Sequence, residues 1–272
     1  MEPKLRIRLL GTAAAWPFPR IGCECPMCAE AVADPSRRRT RPAALVWVPG
    51  AGEAILVDSG PDIHWQLLNA GPDVHRRIAA LLVTHTHSDH YLGLDDLSRA
   101  LKEVRQTLLP MFVQDDNVPV LERTFRYILP SRQGAREWEK PRFEPKSIVL
   151  EQPFEVAGVR VTAFDTFHTD TFTTCGFRFE AGDRSIVYAP DTGRIESATA
   201  GRADLLVIDA TELDESTESH LSVADALAIG ERLEARRIVL THIGHHSITD
   251  ADRDGRVAGR GEVARDGMEL EV

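Results

Sequence analysis

Six consecutive residues, His85-Thr86-His87-Ser88-Asp89-His90, bring three imidazoles and one carboxylate together in the sequence. Residues 79–84 before them form an almost continuous apolar run, which is typical of a strand buried on both faces. Four side chains of ligand type therefore follow a strand end on one tight loop. Neutral imidazole suits zinc, and carboxylate suits zinc or manganese. His85 and His87 can converge on one metal while Asp89 and His90 face a second, so the spacing predicts a two-metal site.

This motif resembles the signature of the metallo-β-lactamase superfamily, whose remaining pattern can be sought position by position. The resemblance implies a His ligand at His168, a bridging carboxylate at Asp191 and a last His ligand at His242, each after a predicted strand. It also implies that Asp58, which ends the predicted strand at 54–58 and precedes Ser59-Gly60, orients the loop of residues 85–90 without binding metal.

The resemblance further implies which ligands share a metal. Metal one would be held by His85, His87 and His168, metal two by Asp89, His90 and His242, and Asp191 would bridge the two ions. Two divalent ions about 3.5–4 Å apart can lower the pKa of a shared water toward about 7 and polarise substrate oxygens. We therefore expect a metal-bound hydroxide as nucleophile, with Asp89 and Asp191 in the catalytic centre and no Ser or Cys nucleophile.

A second group of metal-binding residue types lies near the start of the chain. Three of the four cysteines, Cys23, Cys25 and Cys28, fall within six residues. A disulfide framework would spread its cysteines through a small secreted chain, so this crowding indicates metal ligation instead. The sequence therefore predicts one structural zinc in addition to the two active-site ions.

Tetrahedral zinc needs a fourth ligand beside the three thiolates. Cys175 lies in a predicted strand next to Gly176, and we expect it to be buried structure. His245, three residues beyond His242, is the better candidate, with His246 as the alternative.

The cysteine triad together with this His resembles the PhnP-like phosphodiesterase subgroup of the superfamily. An Arg-rich stretch at 37–39 and a closing segment, Asp266-Gly267-Met268-Glu269, strengthen the resemblance. The subgroup carries a His at the position of His220, as leaving-group acid or phosphate contact. In this sequence His220 precedes a predicted helix, whose N-terminal amides would also favour an anion. The alternative is a surface His in front of a capped helix.

These features predict a dinuclear metal-dependent hydrolase, most consistent with a phosphodiesterase for a small and cyclic phosphodiester. A thioester or lactone hydrolase on the same metal site is the first alternative. A non-catalytic biosynthesis accessory protein, similar to the pyrroloquinoline quinone protein PqqB, is the second. The complete ligand set argues against loss of catalysis, since an accessory protein would not need it.

Composition limits the partners. The 272-residue chain is 43% hydrophobic and carries a formal charge of −10. A diffuse acidic balance argues against an extended nucleic-acid surface, which needs clustered basic charge. Nothing approaches the roughly 20 apolar residues of a membrane span, and no signal peptide is recognisable. We expect a cytoplasmic protein with a small-molecule phosphodiester substrate and no membrane partner, and we leave room for a homodimer.

The elements that must position these residues are α/β in type. Strands are predicted at 5–10, 43–48, 54–58, 79–84, 148–150, 156–164, 174–180, 185–189, 205–210 and 238–241, with a closing strand near 268–272. Helices are predicted near 63–68, at 94–104 and at 223–233, the last with Ser222 as N-cap. Strands followed by helices in each half suit a four-layer αββα sandwich with the site at one rim.

We interpret residues 1–272 as a single metallo-β-lactamase-fold hydrolase domain. Residues 105–145 are the least regular part, and we expect them to form an insertion or lid near the active site. The polar, Gly-rich stretch 250–265 is expected to be a long turn.

Overall fold

The computed structural model describes residues 4–104, 107–129, 142–246 and 248–272. Its strands are β1 (Arg6–Gly11), β2 (Ala43–Trp47), β3 (Ala54–Val57), β4 (Ile78–Leu82), β5 (Leu109–Val113), β6 (Phe143–Ser147), β7 (Pro153–Val156), β8 (Val159–Asp165), β9 (Cys175–Ala181), β10 (Arg184–Ala189), β11 (Leu205–Asp209), β12 (Ile238–Thr241), β13 (Glu262–Val263) and β14 (Glu269–Glu271). Its helices are α1 (Pro26–Ala33), α2 (Ile63–Ala70), α3 (Val74–Arg77), α4 (Ser88–Tyr91), α5 (Leu94–Lys102), α6 (Val118–Phe125), α7 (Val223–Arg232) and α8 (Asp250–Val257). None of these described helices is long and apolar enough to cross a membrane.

The strands form two mixed sheets of seven strands each. The first has the order β14-β1-β2-β3-β4-β5-β6, and the second has the order β13-β12-β11-β10-β9-β8-β7. Helices α2, α5 and α6 pack on the outer face of the first sheet, and α1, α7 and α8 pack on the outer face of the second. The predicted four-layer αββα sandwich is therefore confirmed.

Side-chain alternation explains why both sheets are covered on two faces. In β3, Ile55 and Val57 enter the core between the sheets, whereas Ala54 and Leu56 enter the core under the helices. Successive strand residues point to opposite faces of the sheet, so a strand with four consecutive apolar residues needs an apolar layer packed against each face. The continuous apolar runs in the sequence thus specify an interior strand in a layered fold.

Strand direction decides where the polar residues collect. Strands β3, β4 and β5 are parallel, as are β10, β11 and β12. Strand β8 is antiparallel to β9, which is antiparallel to β10, so β8 runs in the direction of β10. The carboxyl ends of β3 and β4 therefore lie together in the first sheet, and those of β8, β10, β11 and β12 lie together in the second.

The described part of 105–145 differs from the insertion that we expected. Strands β5 and β6 extend the first sheet, and Leu121 and Phe125 of α6 enter its outer core. Pro110 and Pro145 weaken the strand pattern in the sequence, although the register places both in paired positions. Residues 105–106 and 130–141, where the remainder of the expected lid would fall, lie outside the described residues.

Two expectations about secondary structure were wrong. Residues 148–150 form no strand, although Ile148 is buried between the sheets. The stretch expected to be a long turn contains α8, whose N-terminus has a reciprocal capping box between Thr249 and Asp252. The buried side chains of Arg253 and Val257 fix this helix to the protein despite its polar composition, because tertiary packing can override weak intrinsic propensity.

The buried side chain of Arg39 links the segment after β1 to the start of α8 and to the segment after β13. Arg39 is only 2% exposed, and its guanidinium donates hydrogen bonds to the Thr12 hydroxyl and the Ala264 carbonyl. Its other terminal nitrogen lies 3.4 Å from Asp250, which also accepts a hydrogen bond from Arg265 at 2.6 Å. A buried charge of this kind is stabilising only while its partners remain in place.

The substitution Arg39→Ala should therefore lower the free energy of unfolding by about 2–4 kcal/mol, because the Thr12 hydroxyl and the Ala264 carbonyl lose their buried donor. The loss is limited because Arg265 still pairs with Asp250. Urea denaturation measures the change. Arg38→Ala is the matched control, because Arg38 is exposed and should cost no more than about 0.5 kcal/mol. Equal losses in the two variants would show that the Arg39 network does not stabilise the fold.

Candidate functional site

The seven residues predicted to bind the two active-site ions meet at the shared edge of the two sheets. The residues His85, His87, Asp89 and His90 follow β4, while His168, Asp191 and His242 follow β8, β10 and β12. Six of them are buried, and His87 is half-buried. The parallel strands thus deliver side chains from distant parts of the chain to one place.

One group consists of His85, His87, His168 and Asp191, whose ligand-type atoms lie within 4.8 Å of one another. The Nδ1 atom of His87 is 2.9 Å from His85 Nε2 and 3.0 Å from His168 Nε2. The Oδ2 atom of Asp191 is 3.2 Å from His85 Nε2 and 3.7 Å from His168 Nε2. These are the four residues assigned to metal one.

The second group consists of Asp89, His90, Asp191 and His242. Asp191 lies between the two imidazoles, with Oδ2 at 2.9 Å from His90 Nε2 and Oδ1 at 2.6 Å from His242 Nε2. Asp89 Oδ2 is 3.3 Å from His90 Nε2 and 3.6 Å from His242 Nε2. Because Asp191 belongs to both groups, its two oxygens can each face a different ion.

The contacts inside the cluster fit a cation better than hydrogen bonds. His90 Nε2, His242 Nε2 and Asp191 Oδ1 are buried, yet none has a hydrogen-bond partner within the described parts of the chain. His242 Nε2 lies 2.6 Å from Asp191 Oδ1, and His90 Nε2 lies 2.9 Å from Asp191 Oδ2, in directions that make no hydrogen bond. Unpaired buried polar atoms are costly. The His and Asp clusters therefore fit divalent metal ions, which would satisfy these lone pairs.

The pKa shifts of the metal-free cluster agree with this interpretation. Burial and the neighbouring His90 lower the pKa of His85 to about 3, so its imidazole is neutral. Burial lowers the pKa of His242 as well, but Asp191 more than offsets it and raises that pKa to about 10. Without a metal, protons therefore supply the positive charge that Asp191 requires. Metal binding would displace them, as is general for ligands that must deprotonate.

Outer hydrogen bonds orient four of the imidazoles. The Nδ1 atoms are hydrogen-bonded to the Thr84 hydroxyl for His85, to the Asp58 carboxylate for His90, to the Ser219 carbonyl for His168 and to the Thr211 hydroxyl for His242. Each Nε2 atom therefore faces the cluster. A partner of this kind fixes the tautomer and the ring orientation of a metal ligand.

Asp58 holds both the loop and its His ligand. It adopts a positive φ of 62° and accepts hydrogen bonds from the Thr84 amide at 2.9 Å and from His90 Nδ1 at 2.8 Å. Its carboxylate is fully buried and points away from Asp191. This is the geometry of an orienting residue.

Asn117 is a second support for the loop of residues 85–90, on its other side, and was not predicted from the sequence. The buried Asn117 accepts a hydrogen bond from the Thr86 hydroxyl at 2.7 Å and donates one to the Thr173 carbonyl at 2.8 Å. It thereby joins the metal loop to the loop that carries Phe172, whose ring centroid is 5.1 Å from that of His87. A single Asn in an irregular stretch gives no signal for such a role.

His220 lies beside the cluster, where the sequence analysis expected it. Its ring centroid is 4.7 Å from that of His168 and 5.3 Å from that of His242. Its Nδ1 atom donates to the buried carboxylate of Asp209 at 2.7 Å. Asp209 ends β11 and was missed, although an Asp at the carboxyl end of a buried parallel strand is a recognisable signal.

The N-terminus of α7 does not offer the anion site that we expected beside His220. Its Ser222 side chain accepts a hydrogen bond from the Asp225 amide, and the Asp225 carboxylate accepts one from Ser222 in return. The Asp225 amide is thus already bound, the Val223 amide donates to the Glu212 carbonyl, and a carboxylate in the first turn opposes a second negative charge.

The cysteine triad meets His245, as predicted. The His245 Nε2 atom is 3.4 Å from Cys23 Sγ and 3.3 Å from both Cys25 Sγ and Cys28 Sγ. A tetrahedron with ordinary zinc–sulfur and zinc–nitrogen bonds has a corresponding edge of about 3.6 Å. Burial raises the pKa of the Cys28 thiol to about 11, so a cation is needed to keep it a thiolate. The donor set therefore fits one tetrahedral ion.

The other candidates fall outside both sites. His246 donates to the Thr211 carbonyl at 2.8 Å and leaves the fourth position to His245. Cys175 is 1% exposed in the core between the sheets, which agrees with its expected structural role.

The fold is similar to that of two solved structures. A structure described as a new diphosphatase from the PhnP family has a TM-score of 0.82 and 26% identity, covering 99% of this chain and 97% of its own. Zinc-bound PqqB from Methylobacterium extorquens has a TM-score of 0.76 and 24% identity, covering 98% of this chain and all of its own.

A curated relative is the octanoyltransferase of Porphyromonas gingivalis, 26% identical over 244 residues. The alignment covers 89% of this chain, but the chain spans only 46% of that relative's length.

Residues 53–243 match the family described as the Beta-lactamase superfamily domain. This segment runs from β3 to the end of β12, and it contains all seven ligands of the two groups at the sheet edge. Because the match covers well over half of the chain, the protein belongs to the β-lactamase superfamily and has the metallo-β-lactamase fold.

Proposed function

We propose that this hydrolase is a dinuclear phosphodiesterase that acts on a small phosphodiester, cyclic esters included. The observation that carries the proposal is the His220–Asp209 pair, which places a proton donor next to a cluster suited to two cations. The likeness to a PhnP-family diphosphatase supports phosphoryl chemistry. The protein's own contribution to catalysis is then positioning and proton transfer.

We assign the ions as the sequence suggested. His85, His87 and His168 would hold one zinc or manganese ion, Asp89, His90 and His242 would hold the other, and Asp191 would bridge them. When bound, such a pair supplies an activated water and neutralises charge on the phosphoryl oxygens. Cys23, Cys25, Cys28 and His245 would hold one structural zinc, because soft thiolates favour it.

The departing alkoxide needs a proton, and His220 is placed to supply it. Asp209 occupies Nδ1, which leaves Nε2 as the nitrogen that can donate to the substrate. Burial lowers the pKa of His220, but the hydrogen bond to Asp209 and the charge of that carboxylate raise it above its usual value. His220 therefore carries a proton more readily near neutral pH, and Asp209 acts as its positioning residue.

Two alternatives use the same residues differently. The name of the octanoyltransferase relative keeps acyl chemistry open, so thioester or lactone hydrolysis is the second candidate. The likeness to PqqB keeps a biosynthesis accessory role open. The cytoplasmic location, the single-domain organisation and the homodimer stay predictions.

A rate panel separates these candidates. Purified protein with its metals should hydrolyse bis(p-nitrophenyl) phosphate faster than a phosphomonoester, a thioester or a lactone, because the two cations would activate a water and neutralise charge on the phosphoryl oxygens of a diester. His87→Ala is the matched negative control, since it removes one ligand. A preference for the thioester or the lactone would replace our proposal with acyl hydrolysis, and inactivity on all four would favour the accessory role.

The metal sites can be tested separately through Cys25. We expect three transition-metal ions per chain, and Cys25→Ser should reduce this to two and lower the melting temperature, because a structural zinc contributes directly to folding. Diester turnover per folded molecule should fall less than in His87→Ala. Elemental analysis, thermal melting and turnover give the three readouts. An unchanged melting temperature in Cys25→Ser would rule out a structural ion at the thiolates.

The role of His220 can be tested by changing the leaving group. A positioned general acid contributes about 10²–10⁴-fold, so His220→Ala should slow a diester with an alkyl alcohol leaving group by that factor. A p-nitrophenyl diester hardly needs the proton and should suffer much less. Elemental analysis should find the active-site metals retained. Equal losses on both diesters would indicate phosphate binding instead of acid catalysis, and no loss would remove His220 from the mechanism.

A further inference from the structure

The loop between β1 and α1 passes directly beside the metal cluster. Ala13 forms a parallel bridge with Ile243, and the Ala14 amide donates to the Ile243 carbonyl at 3.0 Å. Ile243 follows the ligand His242, so this loop borders the Asp89–His242 half of the cluster. The residues after Ala14 form a wall next to that half.

Arg41 fixes the other side of the same region. Its guanidinium donates to the Ala15 carbonyl at 3.0 Å and to the Asp62 carboxylate at 3.0 and 3.2 Å. It also lies against the metal loop, because a Cβ atom on Gly60 would be 1.9 Å from the Asp89 carbonyl oxygen and 3.6 Å from Arg41 Cβ. Gly60 therefore lies close both to Asp89 and to Arg41, which places Arg41 near the Asp89 end of the cluster.

A cavity of about 350 Å³ opens between these walls. Trp16, Arg20, Ile21, Arg41 and the prolines at 17 and 19 line it, with Cys23 and His245 beneath. Pockets for small organic groups have volumes of this order and combine apolar walls with a few polar groups. Arg20 supplies a positive charge to this lining, whereas the charge of Arg41 is paired with Asp62.

Two large apolar side chains of this lining are unprotected from solvent. Trp16 is 63% exposed and Ile21 is fully exposed. The Arg20 guanidinium lies 4.6 Å from the centroid of the Trp16 ring and covers one face. The remaining aromatic surface is therefore free to stack, and an indole with an arginine beside it is well suited to a flat, electron-rich ring.

We propose that this cavity binds the planar base of a nucleoside phosphodiester, while the phosphoryl group occupies the metal cluster. This inference rests on the proposed phosphodiesterase activity and names its substrate class. A cyclic sugar phosphate would leave the Trp16 indole exposed, whereas a nucleobase covers it. Arg20 then lies beside the base as the cationic group of the cavity, while Arg41, held by Asp62, forms part of its wall.

Binding of two product-like ligands to the metal-loaded full-length protein tests the proposal without turnover. Adenosine 5′-monophosphate and ribose 5-phosphate share the phosphate and the sugar, and only the first carries a base. Stacking on an aromatic side chain is worth roughly tenfold or more in affinity. Titration calorimetry should show that Trp16→Ala weakens the nucleotide by that factor and leaves ribose 5-phosphate unchanged. Trp16→Phe should restore most of the loss, because it keeps an aromatic face.

Trp65→Ala is the matched control, because Trp65 is 65% exposed on α2 and does not line the cavity. It should leave both affinities unchanged. The proposal is overturned if Trp16→Ala weakens both ligands equally, if it weakens neither, or if wild-type protein prefers ribose 5-phosphate. If the rate panel shows no diester hydrolysis but Trp16 still selects the nucleotide, the proposed activity is wrong and the base-binding cavity stands.

Discussion

The whole site depends on one buried carboxylate. Asp191 lies 4% exposed among His85, His90, His168 and His242, and one of its oxygens has no hydrogen-bond partner in the described structure. Burial alone would raise its pKa, but the surrounding imidazoles hold that pKa well below its usual value. An anion that is both ionised and buried requires positive charge within a few ångströms. The fold must therefore bring cation-binding groups to Asp191 from several strands, and the layered sheets with their parallel strand ends do so.

Hydrogen bonds to the outward-facing nitrogens of the imidazoles explain how these flexible side chains keep their positions around Asp191. Each imidazole that presents Nε2 to the cluster has its Nδ1 atom bound by a neighbour: Thr84, Asp58, Ser219 and Thr211. His87 is the exception, because its Nδ1 atom faces the cluster. Thr211 serves two purposes, since its hydroxyl also lies 3.2 Å from His220 Nδ1. A change at Thr211 would thus disturb a ligand and the proposed acid together.

The seven residues at the shared sheet edge could be singled out from the sequence as candidate ligands, because each is a His or an Asp that follows an apolar strand. Asn117 could not be recognised in the same way, because its role arises from Thr86 and Thr173, which are 31 and 56 residues away in the chain. Asp209 did carry a signal, as an Asp at the end of the buried strand β11, but its partner His220 becomes evident only in the structure. Strands β5 and β6 were hidden by prolines, and α8 was hidden by its polar composition, while its buried Arg253 has meaning only in the folded protein. The local sequence pattern reveals candidate metal-binding residues at strand ends, whereas the residues that support them can be recognised only from the tertiary structure.

The two sites are linked by a very short segment, and this link explains why a thiolate site lies beside an active site. His242 and His245 are separated by Ile243 and Gly244 alone. Gly244 packs so tightly that a Cβ atom would lie 2.1 Å from the Thr211 carbonyl, and its own carbonyl accepts a hydrogen bond from the buried Arg253 at 3.1 Å. His242 has a positive φ of 53°, a conformation that a residue with a side chain adopts only when its surroundings enforce it. Anchoring His245 to three cysteines fixes the far end of this segment, so an ion at the thiolates would help to hold His242 in the strained conformation that directs it toward Asp191.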